Sequence, residues 1–258
     1  MTNQDAYSNT NVVVTVPSLG DIRIDQGTSG TGIDRIDDVT PNVWEEAYGT
    51  GLGTGINTVA GSSGGAGIEY TPNMLPDGLT AHVLWTPRAS GTKQNDKGVG
   101  GDGSGAYGQG WDIALQHSGL VDGLNVFAGY ATTETAAAAA TSDKTEKTIG
   151  ATYAMGSVTV GYQYAEKNLQ SLGAAVVSRY ENDAYGISFA VNDDVTVSVD
   201  RSTADNAQKS VDEEATSYQV SYSMGSMSIK AHLTKTDNVG YSSTNTDENK
   251  AVAVSFSF

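Results

Sequence analysis

The segment from Lys250 to Phe258 reads Lys-Ala-Val-Ala-Val-Ser-Phe-Ser-Phe, an alternation that a β-strand sorts into two chemically different faces. Val252, Val254, Phe256 and Phe258 share one face; Ala251, Ala253, Ser255 and Ser257 share the other. The same division recurs upstream. Trp111, Ile113 and Leu115 alternate with Asp112, Ala114 and Gln116, and Val158, Val160, Tyr162 and Tyr164 alternate with Thr159, Gly161 and Gln163. Near the C-terminus, Met227, Ile229, Ala231 and Leu233 leave Lys230 and His232 on the opposite side. Each strand therefore has one dry face and one face of small, polar or charged residues that wants water.

That repeated wet face selects among the all-β folds. Hydrophobic residues are 38% of the 258-residue chain and mean hydropathy is -0.30. No run approaches the roughly 18 consecutive apolar residues of a membrane helix, and Ala136 to Ala140 is too short to span anything. A membrane β-barrel escapes this limit, because only alternate residues meet lipid. The connections agree. Short turns at His117 to Gly123, Met155 to Ser157, Asn192 to Asp194 and Met224 to Ser226 alternate with long polar loops at Thr133 to Asp143, Asn168 to Val177, Asp205 to Asp212 and Asp237 to Asp247. Short turns on one rim and long loops on the other is a barrel asymmetry, and aromatics near strand ends fit girdles at the two membrane interfaces. The chain is expected to be a single domain, residues 1–258, an all-β transmembrane antiparallel up-and-down barrel. A secreted β-sandwich or adhesin is the soluble alternative.

Two further strand pairs are read at the N-terminal end. Val12, Val14 and Val16 precede a turn at Pro17 to Asp21 and a strand at Ile22 to Asp25; Gly64 to Pro72 and Leu79 to Trp85 flank Asn73 to Gly78. Between Gly27 and Gly64 no strand pattern is visible, and a long structureless segment inside a compact domain is usually functional or disordered. About thirteen strands are counted in all. Single-chain bacterial barrels have even numbers, so roughly three further strands upstream are expected, giving a barrel of about sixteen. Residues Met1 to Ala6 lack the charged and apolar regions of a secretory signal. Such a signal would have been removed with that upstream sequence.

Charge and missing chemistry narrow the function. A formal charge of -16 argues against nucleic-acid binding, which needs a basic footprint. Acids lining a pore would instead concentrate cations. The chain has no cysteine, which removes disulfides and thiolate metal sites. His82, His117 and His232 share no metal-binding spacing, and no Gly-x-Ser-x-Gly elbow is present. Asp34 to Asp38 and Asn192 to Asp194 lack the oxygen-ligand spacing of an EF-hand and read as solvated turn acids. Gly98 to Gly105 lacks the Lys-Ser/Thr of a phosphate loop. No cofactor, no metal and no catalytic residue is expected.

Taken in order, these segments resemble a general porin of Gram-negative bacteria, closest to the alphaproteobacterial type. The carriers are Val12 to Gln26 with its Ser-Leu-Gly-Asp turn, the long loop, Gly67 to Pro72 (Gly-Ile-Glu-Tyr-Thr-Pro), and the terminal Phe258. Val12 to Gln26 is similar to a porin strand pair ending in a Gly-Thr-Leu-Thr-Leu-Gly-Arg run, with Arg23 inside the strand rather than after it. The resemblance implies an outer-membrane location, passive diffusion of small hydrophilic solutes and ions, and a homotrimer. It also implies outer-membrane lipid around the barrel and recognition by the barrel-assembly machinery through Phe256 and Phe258. It makes residues 27–63 a constriction loop folded into the lumen, placing Asp34, Arg35, Asp37, Asp38, Glu45 and Glu46 against cations on the opposite wall. Strand parity nominates Arg23, His82, Asp112, Lys230 and His232 as wall residues. The family's dense arginine cluster is not evident: either it lies in the upstream sequence or this pore favours cations more strongly, and a cation-leaning pore is the expectation. An outer-membrane barrel enzyme of the protease or lipase type and a substrate-specific porin are the alternatives within the membrane class.

Overall fold

A computed structural model describes residues 10–25, 30–50, 54–62, 66–87, 107–135, 142–170 and 177–257. Phe258 and the Gly98 to Gly105 loop lie outside the described residues, as do parts of the 27–63 segment. The strands are β1 (Asn11–Val16), β2 (Gly20–Asp25), β3 (Gly67–Pro72), β4 (Leu79–Thr86), β5 (Tyr107–Ser118), β6 (Leu124–Thr135), β7 (Lys144–Met155), β8 (Val158–Gln170), β9 (Val177–Ala190), β10 (Val195–Asn206), β11 (Glu213–Met224), β12 (Met227–Asp237) and β13 (Thr246–Phe256). All belong to one 13-stranded antiparallel sheet whose spatial order is the chain order. β1 and β13 are its edge strands. This single-sheet meander excludes the two-sheet sandwich.

The turns explain the connectivity. At β7–β8 and β11–β12 the chain reverses through Gly156 and Gly225, whose φ values of 59° and 58° are open to glycine at little steric cost. Every connection at that rim is short. The opposite rim carries the long connections, including the 26–66 segment between β2 and β3.

The two faces of the sheet invert the usual soluble arrangement. On the outer face the large apolar residues stand exposed: Ile24, Ile68, Trp111, Ile149, Ile187, Leu233, Val252 and Phe256 among them. Aromatic contacts sit within this band, Trp111 against Tyr130 at 5.8 Å between ring centroids and Tyr162 against Tyr185 at 5.1 Å. On the inner face the buried side chains are mostly polar, including Glu69, Asp112, Glu146, Gln163, Asp200, Glu213, Ser217, Gln219 and Thr234. They are buried because residues 30–50 and 54–62 lie across them.

Candidate functional site

The segment between β2 and β3 begins with a short 3₁₀ helix, Gly32–Ile36. Its buried Ile33 and Ile36 pack with Val59 on Ala114, Phe127, Ala131 and Ala165 of the inner wall. Gly129 opens the seat: a Cβ there would come within 2.6 Å of Ile33 Cγ1. This patch is the apolar core of the molecule, and the loop supplies half of it. Further along, Pro41 rests on paired wall glycines, Gly161 of β8 and Gly186 of β9. A Cβ at Gly186 would lie 2.5 Å from the Pro41 carbonyl oxygen. Gly186→Val is therefore expected to destabilise the seated loop by about 1–3 kcal/mol through overpacking, read as faster proteolysis within residues 37–48 while the strands stay protected.

Around that core the wall grips the loop by its main chain. Glu69 of β3 accepts from Gly32 N at 2.7 Å and from the Arg35 guanidinium at 2.6 and 3.0 Å. Gln163 of β8 accepts from Val39 N at 3.0 Å and donates to the Ile36 carbonyl at 2.7 Å. Ser198 Oγ of β10 accepts from Val43 N at 3.1 Å, and Gln219 of β11 accepts from Trp44 N at 2.8 Å. The outgoing limb, residues 30–46, thus crosses the wall from β3 to β11, where Trp44 meets His232 of β12 edge-on at 4.9 Å.

The return limb is held the same way. Glu213 of β11 accepts from Gly55 N at 2.9 Å, and Tyr241 donates to the Gly55 carbonyl at 2.9 Å. Glu146 of β7 accepts from Ala60 N at 2.6 Å and Gly61 N at 2.7 Å; Asp112 of β5 accepts from Ser62 Oγ at 2.6 Å and Ser62 N at 3.1 Å. Charge-assisted bonds of this kind are about twice as strong as neutral ones. Lys144 and Lys167 flank Glu146 at 2.5 and 3.7 Å and balance its charge.

The residues nominated from sequence divide into three groups. Asp34, Asp37, Asp38, Glu45 and Glu46 come together along the outgoing limb. Burial, and then the charge of Asp38, pushes the Asp37 carboxyl up to about 8. Burial, and then a hydrogen bond with Glu45, raises Glu46 to about 8 as well. Asp34 and Asp38 are also raised, chiefly by burial. Acids raised in this way favour the seated loop at low pH, and that contribution is lost as pH rises toward 8 and neighbouring carboxylates ionise together. A second group, Arg23, His82 and Lys230, lies on the inner face as parity indicated. Arg23 pairs with Asp25, and His82 Nδ1 shares a hydrogen bond with Thr71 Oγ1 at 2.8 Å. Lys230 has no ion pair among the described residues.

The third group takes roles that sequence reasoning did not foresee. Asp112 faces inward but is fully buried beneath the loop, so it holds Ser62 rather than fronting open space. His232 is covered by Trp44. Arg35 turns away from the neighbouring acids and onto Glu69. The wall behind the loop is accordingly acidic, through Glu69, Asp112, Glu146, Asp200 and Glu213. The same inward parity that singled out Asp112 also marks Glu69, between Ile68 and Tyr70, and Asp200, after Val199. Among the described residues no group of His, Asp or Glu side chains is arranged to hold a metal ion.

A family model for Gram-negative porins matches residues 27–240. No curated protein matches the chain. Solved structures share the fold at low identity. A porin refined at 1.8 Å superposes with a TM-score of 0.67 at 18% identity, over 96% of this chain and 80% of that one. An anion-selective porin from Comamonas acidovorans gives 0.71 at 12%, over 97% and 77%. OmpT of Vibrio cholerae, in a trimer form, gives 0.64 at 14%, over 96% and 80%.

Proposed function

We propose, on the premise that this chain belongs to the Gram-negative porin family, that residues 27–63 form the constriction of an outer-membrane diffusion channel and that its loop acids favour cations. Family membership makes the chain a porin of the outer membrane, a channel rather than a barrel enzyme. The observation that carries the finer reading is the loop itself. It lies across the inner face and is tethered from β3 to β11, so whatever crosses the lumen meets it. Asp34, Asp37, Asp38, Glu45 and Glu46 set its field, and Lys230, with Arg23 in its pair with Asp25, supplies positive charge on the wall that opposes them.

Small hydrophilic solutes and ions are the cargo on this reading. A solved structure of the same fold is an anion-selective porin, which supports a reading in which these side chains, rather than the barrel, set the sign. A homotrimer is favoured by the trimer form of the Vibrio cholerae OmpT structure. Membrane lipid would cover the exposed apolar band, and β13, with Phe256 outward and Phe258 beyond it, would present the assembly signal.

Reversal potential in a planar bilayer under a salt gradient tests the charge assignment. A cation-selective potential is expected, weakening as pH falls from 9 to 6 because Asp37 and Glu46 take up protons near 8. The Asp37→Asn/Asp38→Asn/Glu45→Gln/Glu46→Gln variant should abolish that pH dependence. A wild-type potential that favours anions, or one indifferent to the substitutions, sinks the assignment.

A further inference from the structure

At the long-loop rim, the turn between β12 and β13 reaches back onto the return limb. Its Tyr241 is 9% exposed, donates its hydroxyl to the Gly55 carbonyl at 2.9 Å and sets its ring 6.2 Å from that of Tyr180 on β9. The contact has a second half. Glu213, fully buried at the start of β11, accepts from Gly55 N at 2.9 Å and from Gly240 N at 3.0 Å. One carboxylate therefore serves both loops, and Gly55 is held at its N–H and at its carbonyl by groups tied to the turn. The fit is close: a Cβ at Gly55 would lie 2.8 Å from Glu213 Oε2 and 3.1 Å from Tyr241 Cε2.

The turn makes these contacts under backbone strain. Among the described residues, only Asn238 and Tyr241 carry a side chain at positive φ, 58° and 60°. Asparagine tolerates that region; an aromatic residue there brings its Cβ against the following carbonyl oxygen. Strain of this kind persists only where the surroundings hold it in place. Here the hold comes from Gly55, Glu213 and Tyr180. Lifted off them, the turn relaxes, so the seated form is one of two states and not the turn's own minimum. Ser243, Thr244 and Asn245 at its tip are exposed, on the rim that faces out of the cell in barrels of this class.

We propose that the β12–β13 turn is a latch on the constriction and that Tyr241 is its positioning residue. The latch rests on the reading of residues 27–63 as the constriction loop. Seated, it fixes residues 54–57 against β11. Released, it lets that stretch leave the wall, and the lumen changes width. The shared carboxylate makes the two movements one event, because Glu213 loses its bonds to Gly240 and its hold on Gly55 together. The exposed tip thereby gains a mechanical route to the lumen.

Two measurements on Tyr241→Phe in the full chain test this: hydrogen exchange at the Gly55 amide, and occupancy of a second level in single-channel current. The variant keeps the ring and loses only the bond to the Gly55 carbonyl. Both readouts should rise by the same factor, about fivefold for one neutral hydrogen bond, since amide exchange follows the local opening equilibrium. The thermal midpoint should not move. Tyr241→Gly removes ring and hydroxyl, accepts the backbone angle, and should raise both further. Thr244→Ala, at the exposed tip, should match wild type in both. Glu146→Ala, which frees the limb at residues 60 and 61, separates the two readings. Unchanged exchange at Gly55 in both Tyr241 variants overturns the latch, and so does faster exchange without a change in a current that Glu146→Ala does alter. Current indifferent to all three variants overturns the constriction reading, and the latch with it.

Discussion

Glu146→Ala should open the pore. The carboxylate is 1% exposed, accepts two main-chain N–H groups of the return limb and lies between Lys144 and Lys167. Truncation removes those acceptors and leaves two cations close together with little access to water, a situation that costs about 3–5 kcal/mol when one member of a buried pair is deleted. Most of that cost falls on residues 54–62, because the strand itself keeps both ladders, to β6 and β8. The expected result is a larger single-channel conductance with added current noise, a lower thermal midpoint, and an unchanged β-sheet signal by circular dichroism. Glu146→Gln keeps an oxygen acceptor and should lie between wild type and alanine. Wild-type conductance and noise in the alanine variant would refute the grip assigned to β7.

The second large effect is expected from Ile33→Ala. Ile33 is fully buried between the loop and the wall and touches the only sizeable apolar cluster among the described residues. Large-to-small substitution at such a site costs about 2–5 kcal/mol, depending on how far the neighbours collapse. Collapse is limited here, since Gly129, Ala114 and Ala131 on the wall have little side chain to move into the gap. Hydrogen exchange should accelerate over residues 30–40 far more than over β5 and β6. Leu120→Ala, in an exposed turn, should stay within about 0.5 kcal/mol of wild type. If both variants behave alike, the loop is not held by packing.

Much of the fold was legible because strand parity is a local property. Two residues on either side of Asp112 or Lys230 suffice to say which way it faces, and the meander connects each strand to its sequence neighbour, so no long-range pairing had to be guessed. About thirteen strands were counted, and thirteen are present among the described residues. The loop's path was not legible, for an equally physical reason. Its tethers join residues as distant as Gly55 and Tyr241, and on the loop side the bonded group is usually an amide N–H, which every residue but proline carries. No side-chain pattern in residues 30–62 records where those amides attach. Arg35 shows the same limit: Asp34, Asp37 and Asp38 lie within three residues of it, yet its partner Glu69 lies in the next strand.

That anonymity of the amide has an evolutionary consequence. A wall that grips mostly backbone leaves the loop's acids free to change, since replacing Asp37 or Asp38 cuts none of the bonds from Glu69, Gln163, Glu146 or Asp112. A lineage can then exchange one diet for another through single substitutions, each passing through a fully assembled channel. For the engineer the same separation makes the loop's free side chains a replaceable cartridge in a permanent mount.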